Sequence, residues 1–238
     1  MKLLLILFMC VGLYSKTINI AASANLAFVM PQLVKNFNQS YPNIKVNFTI
    51  SSSGKLYAQI RNGASYDIYM SANELYAQKL YNTNKSYSQP VVYAKGRLVF
   101  ISVNKQFKSI NLYHLPLVKK LAVGNPITVP YGVATKQALI NAELYNQIKH
   151  KFVYGESISQ TLSYAFNSTN YGIVALSALK AKRLQHLKIK THYTHIDSKL
   201  YDPIKQAMIR LNNQKETKLF FDFLLSQKAK KIFKQYGY

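Results

Sequence analysis

The stretch TISSSGKLYAQI, Thr49 to Ile60, groups serines, a glycine and a lysine where an apolar run gives way to a helical pattern. That grouping suits a loop that cradles phosphate. A nucleotide-binding P-loop needs G-x-x-x-x-G-K-[ST]. Gly54 and Lys55 supply its GK pair, but Thr49 stands where the first glycine belongs and Leu56 where the Mg²⁺-binding hydroxyl belongs. Nucleotide hydrolysis is rejected here. What survives is Ser53 with Gly54 at a strand-to-helix junction, where free N–H groups and the helix dipole favour an anion. A lone serine there reads more commonly as an N-cap.

The same arrangement recurs along the chain. Ser23 ends the first apolar strand pattern just before a helix, and VPYG (Val129 to Gly132) opens another, with Pro130 suited to a first turn. GESIS (Gly155 to Ser159) opens a fourth, with Ser157 as N-cap and Ile158 offering a backbone N–H. If these junctions converge on one cleft, they form an anion cradle. Other chemistry finds less support. HYTHID brings His192, His195 and Asp197 together as a candidate metal trio, but the local pattern is strand and loop, which suits solvated or edge residues better. Only 8 Asp and Glu are present, so paired-carboxylate catalysis has little to draw on. No serine has both an elbow and a plausible base. An enzyme is not expected. The 19 tyrosines are spread evenly, which favours packing over stacking on bases or sugars.

The elements that must position these residues alternate. KTINIAASA, IKVNFTI and YDIYMSA read as strands; NLAFVMPQLVKNFNQSYP, SGKLYAQIRNG and NELYAQKLYN read as the helices between and after them. Such alternation calls for a mainly parallel sheet with helices on its faces. QPVVYAKGRLVFISVN is too long for one strand and reads as a walk from one lobe to a second. The alternation then restarts, with SALKAKRLQH read as a helix and LKIKTHY as a strand. YDPIKQAMIRL is extended and crosses back, and two helices finish the chain. The expected organisation is α/β: one lobe of residues 16–92 plus 202–238, a second of residues 93–201, and two extended crossovers as hinge. In open sheets of this kind ligands sit at the carboxyl ends of the strands.

The first fifteen residues, MKLLLILFMCVGLYS, have the layout of a secretory signal peptide, too short to span a bilayer comfortably. Cleavage is expected before Lys16. Cys10 is the only cysteine, and the LFM before it lacks the small side chains of a lipoprotein cleavage site. The mature chain then has no thiol, which suits an oxidising compartment. Lys and Arg number 31, giving a net charge of +23. These charges are scattered rather than gathered in one arm, so attraction of small anions is the preferred reading over a nucleic-acid or anionic-surface partner.

Taken together, AASANL, SSSGKLYAQI, GASYDIYMSANE, LAVGNPITVPYGVATKQAL, GIVALSAL and AKKIFKQYGY resemble, in order, the periplasmic molybdate-binding proteins of ABC importers. The resemblance implies a type II periplasmic binding protein that holds molybdate or tungstate between two lobes. It also implies export to a periplasm, delivery to an inner-membrane ABC permease, and a monomer with no resident cofactor. Molybdenum would enter only as the bound oxyanion. Carried over residue by residue, Ser23 and Ser53 become hydroxyl donors, Tyr131 and Ile158 become main-chain N–H donors, and Gly54 holds the backbone clear. Many relatives carry a Tyr directly after GIV, where this chain has Ala175. Asn25 is the expected replacement donor, and Tyr171 lies one strand face away. A protonated phosphate would need an acceptor; Glu156 is the one acid near a donor junction, free to turn into solvent. Sulfate or another small oxyanion is the alternative ligand.

Overall fold

The computed structural model describes residues 16–103 and 110–238. The signal-peptide reading, including Cys10, lies outside them. The chain opens with β1 (Lys16–Ser23), α1 (Met30–Asn38), β2 (Ile44–Ser51), α2 (Ser53–Arg61), β3 (Ile68–Ser71) and α3 (Glu74–Asn82). β4 (Val91–Gly96) and β5 (Leu98–Ser102) follow. Next come β6 (Leu121–Gly124), α4 (Pro130–Asn141), α5 (Tyr145–Ile148), β7 (Phe152–Gly155), α6 (Ile158–Tyr164), β8 (Tyr171–Ala175) and β9 (Tyr193–His195). The chain closes with β10 (Ile204–Arg210), α7 (Lys215–Leu225) and α8 (Gln227–Gln235).

These strands form two sheets, ordered β2-β1-β3-β10-β4 and β7-β6-β8-β5-β9. The expected parallel alternation holds for β1, β2 and β3 and again for β6, β7 and β8. The remaining strand pairs are antiparallel, because β10 returns from the second lobe between β3 and β4, and β5 enters between β8 and β9. Both sheets are therefore mixed. The change of sheet falls at Arg97, between β4 and β5, rather than at residue 93. Tyr93 stays in the first lobe because its ring packs on Phe233 of α8, with centroids 5.2 Å apart. The return crossing runs through Tyr201 to Pro203 into β10.

The apolar periodicity explains the layers. Met30, Leu33 and Phe37 share the buried face of α1 and pack on Ile18, Ile20, Phe220 and Leu224. Phe37 meets Phe220 edge-on at 4.8 Å. Leu56 and Ile60 of α2 and Leu80 of α3 cover the other sheet face around Tyr69. Each fully buried side chain of this size contributes about 1.5–3 kcal/mol. The second lobe encloses Phe100, Leu121, Leu139, Leu162 and Ile173.

Two expected elements differ. SALKAKRLQH forms two short 3₁₀ turns, Leu176–Lys180 and Lys182–Leu184, instead of an α-helix. Leu176 and Leu179, and likewise Ala178, Ala181 and Leu184, are buried at spacings of three. A 3₁₀ turn stacks such residues on one face. Of LKIKTHY only the last residue, Tyr193, is strand, as the start of β9 (Tyr193–His195), because the chain turns back before it, with His192 N–H donating to the Lys188 carbonyl at 2.8 Å.

Candidate functional site

The serine run before α2 divides its tasks between neighbours. Ser52, not Ser53, is the N-cap of α2: its backbone is extended and its Oγ accepts the Lys55 N–H at 3.4 Å. Ser53 is thereby the first helical residue and is buried. Its Oγ accepts the Ala72 N–H at 2.9 Å and its carbonyl accepts the Tyr69 hydroxyl at 2.8 Å. A serine hydroxyl both accepts and donates. With Oγ already accepting, the Ser53 proton remains available to another acceptor. Lys55 is exposed.

Ser23 ends β1 with extended backbone and is buried. Its hydroxyl donates to Asn25 Oδ1 at 2.7 Å. In the second lobe, α4 starts after Val129, which offers no side-chain cap. Pro130 has no N–H, and the Gly132 and Val133 N–H groups return to the Val129 carbonyl. The Tyr131 N–H is thus the first-turn donor that the helix does not use. In α6, Ser157 caps by accepting the Gln160 N–H at 3.1 Å, which leaves Ile158 as the first residue with an outward N–H. Tyr131 and Ile158 are both buried.

Hydrogen bonds across the lobes bring these junctions together. The Gly54 N–H donates to the Thr128 carbonyl at 3.2 Å, and the Tyr76 hydroxyl to the Ile127 carbonyl at 3.0 Å. These two bonds seat the start of α2, and α3 beside it, against the turn that leads into α4. The Ser159 hydroxyl donates to the Ala24 carbonyl at 3.2 Å and the Ser177 hydroxyl to the Asn25 carbonyl at 3.1 Å, seating the end of β1 against α6 and the turn after β8. A Cβ on Gly54 would lie 2.9 Å from Tyr76 Oη and 3.1 Å from Thr128 Cα, so glycine is what permits this approach. Among the described residues no Lys, Arg, Asp or Glu is buried. Positive potential among the buried donors therefore comes from helix starts.

The structure changes the part played by Asn25. Its Nδ2 donates to Gln206 Oε1 at 2.9 Å and to Tyr238 Oη at 2.8 Å, so both amide hydrogens are engaged and neither is left for a ligand. Asn25 instead holds Ser23. Tyr171 lies at the far end of β8 from Ala175, its ring beside Phe100. Glu156 is not turned into solvent. Its carboxylate accepts from Asn125 Nδ2 at 2.7 Å and Thr128 Oγ1 at 3.2 Å, a location favoured by the start of α6. The histidines of HYTHID do not assemble with Asp197. His192 is buried, with Nδ1 accepting the Lys188 N–H, whereas His195 and Asp197 are exposed. No group of three metal-ligating side chains occurs among the described residues.

Gln206, Tyr238 and Ser177 were not singled out from sequence. One signal was there for Gln206: it sits at an inward position of β10, between buried Ile204 and Met208. Burial holds the Tyr131 and Tyr238 hydroxyls well above their ordinary pKa, so both stay protonated. A cavity of about 580 Å³ does not coincide with the donors. It lies at the two crossovers, lined by Lys95, Arg97, His195, Asp197 and Tyr201. Its charged side chains are exposed, whereas the helix-start donors are buried, and buried donors are what an anion site requires.

Known proteins resemble the chain over most of its length. The chain is 29% identical to a putative ABC transporter substrate-binding lipoprotein, YvgL, of Bacillus subtilis, over 93% of this chain and 86% of that protein. It is 28% identical to the molybdate-binding protein ModA of Azotobacter vinelandii, over 93% of this chain and 89% of that one. The solved periplasmic molybdate-binding protein of Azotobacter vinelandii superimposes with a TM-score of 0.84 at 26% identity, covering 93% of this chain and 98% of that chain. A family model of bacterial extracellular solute-binding proteins matches residues 18–238, and the chain belongs to that family.

Proposed function

We propose that this chain captures molybdate or tungstate between its two lobes and delivers it to an inner-membrane ABC permease from the periplasm. One observation carries the reading: four junctions rich in N–H and O–H donors face each other across the lobes, joined by the Gly54–Thr128 and Ser159–Ala24 hydrogen bonds. A tetrahedral dianion that never needs protonation can be held by donors alone. Ser53 gives a hydroxyl, Tyr131 and Ile158 give N–H groups, and Ser23 turns its hydroxyl hydrogen from Asn25 to the anion. Each such charge-assisted bond contributes about 1.5–3 kcal/mol. The anion bridges both lobes, so its binding energy favours the closed state. Glu156 is held by Asn125 and Thr128, one bond to each carboxylate oxygen, rather than aimed at a ligand's proton. The net charge of +23 raises the anion on-rate in a salt-dependent way.

Calorimetry with molybdate, tungstate, sulfate and phosphate in turn is the test. Tight binding of molybdate and tungstate is expected. Binding of sulfate alone, or of none, overturns the reading. An affinity that falls steeply with salt would point instead to a polyanion partner.

A further inference from the structure

The two lobes are linked at the site by an unbroken polar chain. Ser23 Oγ meets Asn25 at 2.7 Å, Asn25 meets Gln206 at 2.9 Å, and Gln206 meets Tyr131 Oη at 3.4 Å. Ser23, Asn25, Gln206 and Tyr131 are all buried. The chain therefore runs from a donor of the first lobe to a donor of the second. Tyr131 contributes at both levels, through its N–H to the cleft and through its hydroxyl to this chain. Its ring is held in place at Gly96, where a Cβ would lie 2.3 Å from Tyr131 Oη.

The direction of the chain matters. As described, Gln206 Nε2 donates to Tyr131, Asn25 Nδ2 donates to Gln206, and Ser23 donates to Asn25 Oδ1. In that sense the Ser23 proton is spent inside the protein. Each link along the chain also works in reverse, because an amide presents oxygen on one side and nitrogen on the other, and a hydroxyl both gives and takes; turning Gln206 over gives up its long side bond to the Ile204 carbonyl at 3.4 Å. With both amides turned over, Tyr131 Oη donates to Gln206, Gln206 donates to Asn25, and Asn25 donates to Ser23 Oγ. The Ser23 hydrogen is then released to the cleft. Tyr238 Oη accepts from Asn25 Nδ2 at 2.8 Å and donates to the Asn25 carbonyl at 2.8 Å; in the reversed sense its hydrogen turns to Asn25 Oδ1, and the Ser177 hydroxyl, at 3.1 Å, keeps that carbonyl paired.

We propose that Asn25 and Gln206 form a two-way hydrogen-bond relay that frees the Ser23 hydroxyl for the anion, with the Tyr131 hydroxyl as the donor at its far end. Gln206 is then a positioning residue: it touches no anion, yet sets whether Ser23 can donate. The relay rests on the oxyanion reading above and deepens it.

The test uses Tyr131→Phe, which keeps the Tyr131 N–H and removes only the hydroxyl, and Gln206→Met, which keeps the volume. Each is measured with molybdate by calorimetry, alone and in a Ser23→Ala background, alongside thermal unfolding without molybdate. Each single variant is expected to bind about 3- to 10-fold more weakly, the loss typical of one hydrogen bond. In the Ser23→Ala background that further loss should vanish, since the relay acts only through Ser23. A merely structural role would lower the unfolding temperature and leave a loss that persists without Ser23. Wild-type affinity in Tyr131→Phe, or an undiminished loss in the Ser23→Ala background, overturns the relay alone. Failure of the unmutated protein to bind molybdate, tungstate or sulfate overturns the oxyanion reading, and the relay with it.

Discussion

Replacing Ser53 by alanine separates capping from binding, because the neighbouring Ser52 carries the cap. Ser53 Oγ has two tasks in the structure. It accepts the buried Ala72 N–H at 2.9 Å, and its proton is available to the cleft. Removing the donor costs a charge-assisted bond of about 1.5–3 kcal/mol. At 1.4 kcal/mol per tenfold, molybdate affinity should fall about 10- to 150-fold. Removing the acceptor leaves the Ala72 N–H unpaired, at about 1–3 kcal/mol of stability. For a chain of this size that lowers the unfolding temperature by roughly 2–12 °C. Ser52→Ala is the control. It loses the bond to the Lys55 N–H, an N-cap worth about 1 kcal/mol, so it should unfold about 2–4 °C lower. Its affinity should stay within about twofold of the unmutated protein, since no donor is lost. Calorimetry with molybdate and thermal unfolding without it read the two effects independently. The reasoning is refuted if Ser53→Ala keeps full affinity, or if Ser52→Ala loses as much as Ser53→Ala.

Three further outcomes follow from the same geometry. Gly54→Ala should weaken molybdate on the order of tenfold in calorimetry by opposing closure, since its Cβ would press on Tyr76 Oη at 2.9 Å and Thr128 Cα at 3.1 Å; equal affinity would mean that the lobes close elsewhere. Ile158→Pro removes one main-chain donor at the first helical position, where proline is tolerated, and the extended Ser157 before it suits a following proline. Affinity should drop about tenfold or more with the far-ultraviolet circular dichroism retained, and calorimetry checks it. Affinity should be flat from about pH 6 to 9, because serine and amide donors do not titrate there, and burial raises the Tyr131 and Tyr238 pKa values, so their neutral hydroxyls persist to still higher pH. A titration step in that window would mean that an ionisable group shares the site.

Much of the fold was legible because its causes are local. The apolar spacing of Met30, Leu33 and Phe37 marks α1 whatever it packs against, and alternation marks β1 in the same way. The strand-to-helix junctions at Ser53, Tyr131 and Ile158 were visible as residue types at helix starts. The identity of the N-cap was not, because three consecutive serines offer the same side chain and only the backbone bend selects Ser52. The turns over Leu176–Leu184 were missed because apolar residues at spacings of three fit an α-helix and a 3₁₀ turn alike until burial chooses.

The sequence by itself determined most of the elements, the run that changes lobe, and the residue types that could donate, since each depends on a short stretch of chain. Only the tertiary structure decided which donors are free. Ser53 keeps its proton because Ala72, distant in sequence, fills its acceptor side. Asn25 loses its hydrogens to Gln206 and Tyr238, which arrive from the other end of the chain. Hydrogen-bond capacity is fixed by residue type, but its use depends on which partners come within about 3 Å, and that is a property of the folded chain.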